Sequence, residues 1–163
     1  MTSRRLFAVL QILLLGASVL VYSMLVQSTA GDVQRFDYFS LHASAQRADR
    51  GWDPYGPVYV VQASPEGNVL GVRHDNLNPP VFIGALIPLS RLPVEKGYLV
   101  FTAITLILAL AAVPFLVTAM PEGTSRARAA INVALLLALS FPVFLSVRLG
   151  QVGHALLLPV AAA

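Results

Sequence analysis

The stretch LFAVLQILLLGASVLVYSMLV, residues 6–26, contains no charged side chain and decides the class of this protein. About 20 apolar residues cross the hydrocarbon core of a bilayer, and this run has that length. Residues 98–117 and 130–147 form two more uncharged runs that come close to it. Residues 155–163 start a fourth run of about half the required length. We therefore expect three full transmembrane helices and part of a fourth, inside which a longer chain is cut.

The composition excludes a free soluble domain. Hydrophobic residues make up 56% of the 163 residues and charged residues only 12%, about half the usual charged share. A soluble surface needs more charge than that. The sequence therefore predicts an all-α polytopic membrane protein whose 163 residues form a single membrane domain.

Cysteine and charge exclude other classes of protein. The chain has no cysteine, so disulfides, thiolate metal sites and cysteine nucleophiles are excluded. Its net charge is +3, but the basic residues are scattered along the chain without interleaved aromatic residues. Binding to nucleic acid is therefore not expected.

Basic residues near the apolar runs predict the orientation. Arg4 and Arg5 precede the first run, and Arg126 and Arg128 lie in the short loop between the second and third. Since short cytoplasmic loops carry the excess of Lys and Arg, we expect a multi-pass plasma-membrane protein with a cytoplasmic N-terminus. The segment of about residues 28–96 would then lie at the outer face.

The first apolar run could instead be a cleaved signal peptide. Ser28-Thr29-Ala30 resembles a cleavage site made of small residues. The apolar part of a signal peptide has about 7–15 residues, and this run is longer. The length favours a retained membrane anchor.

The outer segment contains one predicted interfacial helix. The helix covers about Phe36–Ala48, and Gly51 follows it as a glycine C-cap would. Asp53-Pro54-Tyr55-Gly56 then predicts a turn. The apolar positions with helical spacing are Phe36, Phe39 and Ala43.

The rest of the outer segment predicts a hairpin and a short apolar helix. Residues 58–62 and 69–73 flank a Ser-Pro-Glu-Gly sequence as the strands of a hairpin do. Residues 81–87 are apolar but too short to cross a bilayer. We expect them to form an interfacial or re-entrant helix that Pro88 ends, with Pro93 preventing a restart.

Several short motifs occur in a definite order along the chain. They are Asp37-Tyr38, Gly51-Trp52-Asp53-Pro54-Tyr55, Pro79-Pro80, Pro88-Leu89-Ser90-Arg91-Leu92-Pro93 and Gly150-Gln151. In this order they resemble the N-terminal portion of the membrane glycosyltransferases of family 87, which take a sugar from a polyprenyl-phosphate carrier. The chain departs from the family pattern at Leu41, Asn78 and Gly153, so substrate contacts are expected to differ.

The resemblance implies a GT-C-like fold and an inverting sugar transfer. It implies a polyprenyl-phosphate donor of a mannose-like hexose, a glycan or lipid acceptor, and contact with membrane lipid. Asp37 is the candidate catalytic residue. On position alone it is either a helix N-terminal residue that the dipole favours or a general base for an acceptor hydroxyl. The resemblance favours the base.

The other candidate site residues are expected to bind substrate. A lipid phosphate needs cationic neighbours, which the outer-face arginines and histidines supply. Asp53 and Tyr55 are either turn residues or sugar contacts. No ligand spacing predicts a bound metal, and no cofactor is expected. The substrate-binding candidates are Asp53, Tyr55, Arg73, His74, Arg148, Gln151 and His154, with Arg35 as a further phosphate candidate.

Two alternatives stay open at this point. The protein could be a non-catalytic polytopic membrane protein, in which an outer-face carboxylate would have no chemical role. It could also be an inactive fragment. We expect the 163-residue chain by itself to be inactive, because its fourth apolar run covers less than half of a core of about 30 Å.

Overall fold

A computed structural model describes residues 3–32, 37–63, 69–74, 78–121, 125–151 and 157–162. The chain forms two compact units, one covering Ala30–Phe101 and the other combining Met1–Thr29 with Thr102–Ala163. The elements in chain order are α1 (Ser3–Ala30), α2 (Asp37–Asp49), β1 (Val58–Ala63), β2 (Val69–His74), α3 (Pro80–Ser90), α4 (Val94–Thr118), α5 (Arg126–Ala138), α6 (Phe141–Leu149) and α7 (Leu157–Ala162).

Two helices are long and apolar enough to cross a membrane. They are Leu6–Ala30 within α1 and Val94–Thr118, which is all of α4. Both agree with the predicted spans over residues 6–26 and 98–117, and each is a few residues longer. Large apolar side chains of α1, such as Ile12, Leu20 and Met24, are exposed. Exposed side chains of this kind are what a helix surrounded by lipid presents.

The third predicted span is divided between two helices instead of forming one continuous helix. Residues 130–147 are divided between α5 and α6, whose axes differ by 54°. Pro142 lies in the first turn of α6. It has no N–H to bond the Ala138 carbonyl, and its ring would clash with that carbonyl, so α5 ends at Ala138. The described residues thus contain two or three spans, depending on whether this bent pair counts as one.

The helix predicted over about Phe36–Ala48 is confirmed as α2, and its interfacial position stays a prediction. It ends in a Schellman motif, in which the Gly51 N–H bonds the Ala48 carbonyl and the Trp52 N–H bonds the Arg47 carbonyl. Gly51 has φ +74°, the left-handed conformation that glycine adopts without strain. The predicted cap is therefore correct.

The buried face of α2 differs from the predicted apolar stripe. Phe39 and Ala43 are half-buried, whereas Tyr38, Leu41 and Ala45 are fully buried. The buried positions also repeat at helical spacing, but they include the polar ring of His42. The prediction counted only apolar residues, so it selected the face of α2 that lies next to the buried one.

The predicted hairpin is confirmed. β1 and β2 pair antiparallel, with Val58 opposite His74 and Ala63 opposite Val69. The expected strands of residues 58–62 and 69–73 are each one residue longer in the structure.

The proline boundaries around α3 were predicted wrongly. α3 continues past Pro88 to Ser90, because a proline in the last turn removes only one helical hydrogen bond, to Gly84. Pro93 does not prevent a restart, since α4 begins at the next residue. The Pro93 carbonyl accepts the first bond of α4, from Gly97 N–H at 2.8 Å, a role that needs no N–H from proline.

Candidate functional site

Asp37 is the first residue of α2, and its side chain is exposed. It follows the end of α1 at Ala30 by seven residues. An acidic residue in the first turn interacts favourably with the positive end of the helix dipole. Ser40 supports the same turn, because its hydroxyl donates to the Asp37 backbone carbonyl at 2.8 Å.

Next to Asp37, the ring of Tyr38 is completely buried in an aromatic cluster. Its centroid lies 5.7 Å from the His42 ring, 5.6 Å from Tyr98 and 5.1 Å from Phe101. The pairs are tilted or edge-on, the arrangements that aromatic rings prefer. Since Tyr98 and Phe101 belong to the first two turns of α4, the cluster fastens the N-terminal end of α2 to the start of a candidate span.

The Tyr38 hydroxyl has no hydrogen-bond partner among the residues that the structure describes. A Cβ added at Gly97 would lie 2.6 Å from this oxygen and 3.2 Å from the Leu89 carbonyl. Glycine at position 97 therefore allows α2 and α4 to approach this closely. Burial raises the pKa of the Tyr38 phenol, so the group stays protonated.

His42 is buried on the same face of α2. Its Nε2 lies 3.1 Å from the Leu92 carbonyl, which can only accept, so Nε2 carries the proton. Burial lowers the pKa of His42, and the Leu92 hydrogen bond and the charge of Glu95 oppose that effect. The ring thus acts here as a neutral donor that connects α2 to the residues before α4.

The C-terminal half of α2 is held against α3 by polar contacts. Gln46 Nε2 donates to the Ser90 carbonyl at 2.9 Å. Arg91 donates to both carboxylate oxygens of Asp49, at 2.7 and 3.1 Å. This pairing lowers the pKa of Asp49. The Asp49 carboxylate is therefore paired with an arginine.

Asp53 and Tyr55 form a compact turn beyond the C-terminal end of α2. The Asp53 carboxylate accepts from Tyr55 N–H at 2.9 Å, which closes an Asx turn. The Asp53 carbonyl accepts from Arg47 Nε at 2.6 Å, and the Tyr55 hydroxyl donates to the Asn78 carbonyl at 3.2 Å. Both candidates thus have structural partners.

The structure does not bring Asp53 to Asp37. Arg47, which holds the Asp53 turn, lies ten residues after Asp37 on the same helix, or about 15 Å along its axis. Arg73 and His74 lie on β2 opposite Tyr59 and Val58, close in the chain to that turn. Their side chains, like Arg35 and His154 entirely, lie outside what the structure describes.

Arg148 and Gln151 belong to the other unit. Arg148 is exposed in the last turn of α6, where a cation suits the negative end of the dipole. The Gln151 N–H bonds the Ser146 carbonyl at 2.9 Å and closes the helix end, with Gly150 at φ +69°. The backbone at both residues thus has an ordinary capping geometry.

The aromatic cluster was missed at the level of the sequence. Tyr38 and His42 are four residues apart on α2, and Tyr98 and Phe101 are three apart on α4. Each spacing places two rings on one helix face, which is the signal that could have found them. The described residues contain no group of three acidic or histidine side chains able to hold a metal ion.

Comparison with known proteins gives one match. The family model described as Glycosyltransferase family 87 matches residues 76–163, slightly more than half of the chain. The match includes the Pro79-Pro80 pair and Gly150-Gln151, whereas Asp37 and Asp53 lie before it. No curated protein and no solved structure matches the chain.

Proposed function

The chain belongs to glycosyltransferase family 87, and from this premise we propose that it transfers a mannose-like hexose from a polyprenyl-phosphate donor to an acceptor hydroxyl. Family membership implies a membrane glycosyltransferase, and the apolar α1 and α4 agree with a membrane location. To this family assignment the proposal adds four points: the polyprenyl-phosphate donor, the hexose, a glycan or lipid acceptor, and a location at the outer face of the plasma membrane.

Asp37 is the general base in this proposal. The observation that carries the assignment is the packing of Tyr38 on Tyr98 and Phe101, four and seven residues into α4. This packing keeps an exposed carboxylate near the end of a helix that can span the membrane. The phosphate of a polyprenyl donor resides at the same boundary between water and hydrocarbon.

The chemistry follows from that position. The carboxylate of Asp37 takes the proton of the acceptor hydroxyl as the acceptor oxygen attacks the anomeric carbon. The bond between that carbon and the phosphate oxygen breaks, and polyprenyl phosphate leaves with the electron pair. One displacement inverts the anomeric centre and needs no covalent enzyme intermediate.

The phosphate contacts are assigned to cations. Among the candidates, Arg148 has an exposed guanidinium, which suits bidentate binding of phosphate oxygens. The proposed substrate-binding set also contains Arg73, His74, Gln151 and His154. Asp53 and Tyr55 are secondary members, because their turn already uses their polar atoms.

The test is Asp37→Asn in the chromosomal gene, so that the protein is assayed at its natural length. Asparagine keeps the size of the side chain but removes the base, so transfer should fall by about 10²-fold or more. The measurement is transfer of labelled sugar from a polyprenyl-phosphate donor in membranes with matched protein levels.

Asp53→Asn is the matched control, since it makes the same chemical change in a turn about 15 Å from Asp37 along α2. It should reduce transfer much less. Near-normal turnover of the Asp37→Asn protein would remove Asp37 from the mechanism. Absence of sugar transfer by the unmodified protein with any polyprenyl-phosphate donor would instead favour a non-catalytic membrane protein.

A further inference from the structure

The α2–α3 hairpin, residues 37–90, has one end close to α4 and one end far from it. His42 and Leu92 meet at the near end, whereas Tyr55 and Asn78 meet at the far end. The two helices are therefore antiparallel. Trp52 follows α2 at the far end, about 20 Å along the helix axis from Asp37.

The outward face of α3 is apolar. Ile83, Leu86 and Ser90 are buried, and they lie on one side of this helix. On the other side Val81, with 71% of its surface exposed, is followed at helical spacing by the exposed Ala85 and Pro88. Water does not favour such a face, and no charged residue interrupts it.

The C-terminal end of α3 lies close to a candidate membrane span. α3 ends at Ser90 and α4, the candidate span, begins at Val94. Four residues extend at most about 14 Å, so this end of α3 lies within that distance of the first residue of the span. A hairpin that stood upright would leave Val81 in water, whereas a hairpin that lies flat covers the whole face.

The far end carries the side chains that favour the boundary between lipid and water. Trp52 is 57% exposed and Tyr55 43% exposed. The Arg50 guanidinium lies 5.5 Å from the centre of the Trp52 ring. Tryptophan and tyrosine concentrate at the headgroup level, and an arginine there binds lipid phosphate.

We propose that the α2–α3 hairpin docks flat on the phospholipid surface, with Val81, Ala85 and Pro88 in the interface and Trp52 as the anchor at its far end. The flat position sets Trp52 at headgroup depth. The upright position would place it about 20 Å from that depth, in water. This inference depends on the membrane location of the chain but not on its proposed donor or on Asp37.

The test uses the intrinsic fluorescence of the 163-residue chain in phosphatidylcholine vesicles, because Trp52 is its only tryptophan. Bromine atoms on the acyl chains quench tryptophan on contact, so phospholipids brominated near the headgroup or near the chain ends report its depth. We expect blue-shifted emission, with stronger quenching by the shallow bromines than by the deep ones. Acrylamide in the water should quench weakly.

The control moves the tryptophan to a known environment. The double variant Trp52→Phe, Ile107→Trp places it on the exposed side of α4 near the middle of that helix, where the deep bromines should quench more. Val81→Asp should red-shift the Trp52 emission and weaken its quenching by bromolipids. Val81→Ala should change both the emission and the quenching little. Val81 is exposed, so neither substitution disturbs the contact between α2 and α3.

Two outcomes would overturn the proposal. Water-like emission that acrylamide quenches and bromolipids do not would show an upright hairpin. Emission that responds to soluble oligosaccharide but not to bromolipid would make the Trp52 end a carbohydrate-binding surface instead.

Discussion

Gly97 and Tyr38 meet where the two helices that support Asp37 come closest. The phenol oxygen of Tyr38 lies where a side chain at position 97 would begin. A buried hydroxyl without a partner costs about 1–3 kcal/mol, so this contact depends on the packing of the ring rather than on its polar atom. The aromatic neighbours on α4 supply that packing.

Gly97→Ala should therefore destabilise the protein, although alanine favours a helix by about 1 kcal/mol over glycine. Overpacking costs about 1–3 kcal/mol and exceeds that gain. Tyr38→Phe removes the clashing oxygen, so the double variant should be more stable than Gly97→Ala alone. The measurement is the Tm of each variant in detergent.

The control for these variants is Gly84→Ala in α3, where an added Cβ meets nothing within 4 Å. It should leave the Tm unchanged or raise it slightly. A Gly97→Ala protein that behaves like Gly84→Ala would show that the close approach of α2 and α4 does not limit stability.

Among the individual helices, the break between α5 and α6 decides how far this segment reaches across the membrane. Along the direction of α5, its 13 residues advance about 20 Å, and the nine residues of α6, inclined by 54°, add about 8 Å. The sum is close to a hydrocarbon core of about 30 Å. The bent pair is therefore long enough to cross the core as one broken span, and a re-entrant loop is the other arrangement that such a bend permits.

Pro142→Ala should join α5 and α6 into one helix, because it restores the hydrogen bond to the Ala138 carbonyl and removes the ring. Spin labels at the exposed positions Ala127 and Arg148 should then move apart by about 3–5 Å. Pulsed electron spin resonance measures this distance. Pro114→Ala, within the continuous α4, is a control that should leave it unchanged.

The helices of this protein could be predicted from sequence more accurately than their boundaries. Charge-free length identified α1 and α4, and Gly51 identified the end of α2, since these signals act locally. The effect of a proline depends on its position in a helix. Pro142 separates two helices, whereas Pro88 lies within a last turn and Pro93 accepts the first bond of α4.

The candidate site was less predictable than the helices. Asp37 was correctly expected at the start of a helix, because apolar positions at helical spacing begin next to it, whereas its catalytic role stays a prediction. Its surroundings were not predicted, since Tyr38 and Tyr98 are 60 residues apart and one sequence does not show which distant rings meet. The buried His42 was also outside any apolar pattern.

One polar contact within the membrane region joins two helices that are far apart in the chain. Gln11 Nε2 donates to Asn132 Oδ1 at 2.6 Å, which joins α1 to α5. Gln11 lies six residues after Arg5 and Asn132 six residues after Arg126, about 9 Å along each helix. If α1 and α5 run in the same direction, the two basic ends lie at the same level, and the positive-inside rule predicts that both are cytoplasmic.

Single cysteines should report this orientation, because the chain has none of its own. We expect a cysteine at Ser64 to react with an impermeant maleimide in intact cells and one at Ser125 to react only after the membrane is opened. The reverse pattern would place the N-terminus and the α4–α5 loop outside. Labelling of both sites after lysis controls for buried positions.

The hydrogen bond between Gln11 and Asn132 also has a consequence for biosynthesis. The two amides are 121 residues apart in the chain. At a translation rate of about 5–20 residues per second, α1 is made roughly 6–24 s before its partner. During that time the side-chain amide of Gln11 cannot yet bond Asn132, which favours contacts with other polar groups inside the membrane. We therefore expect the first helix to stay in contact with the insertion machinery until the fifth has been made.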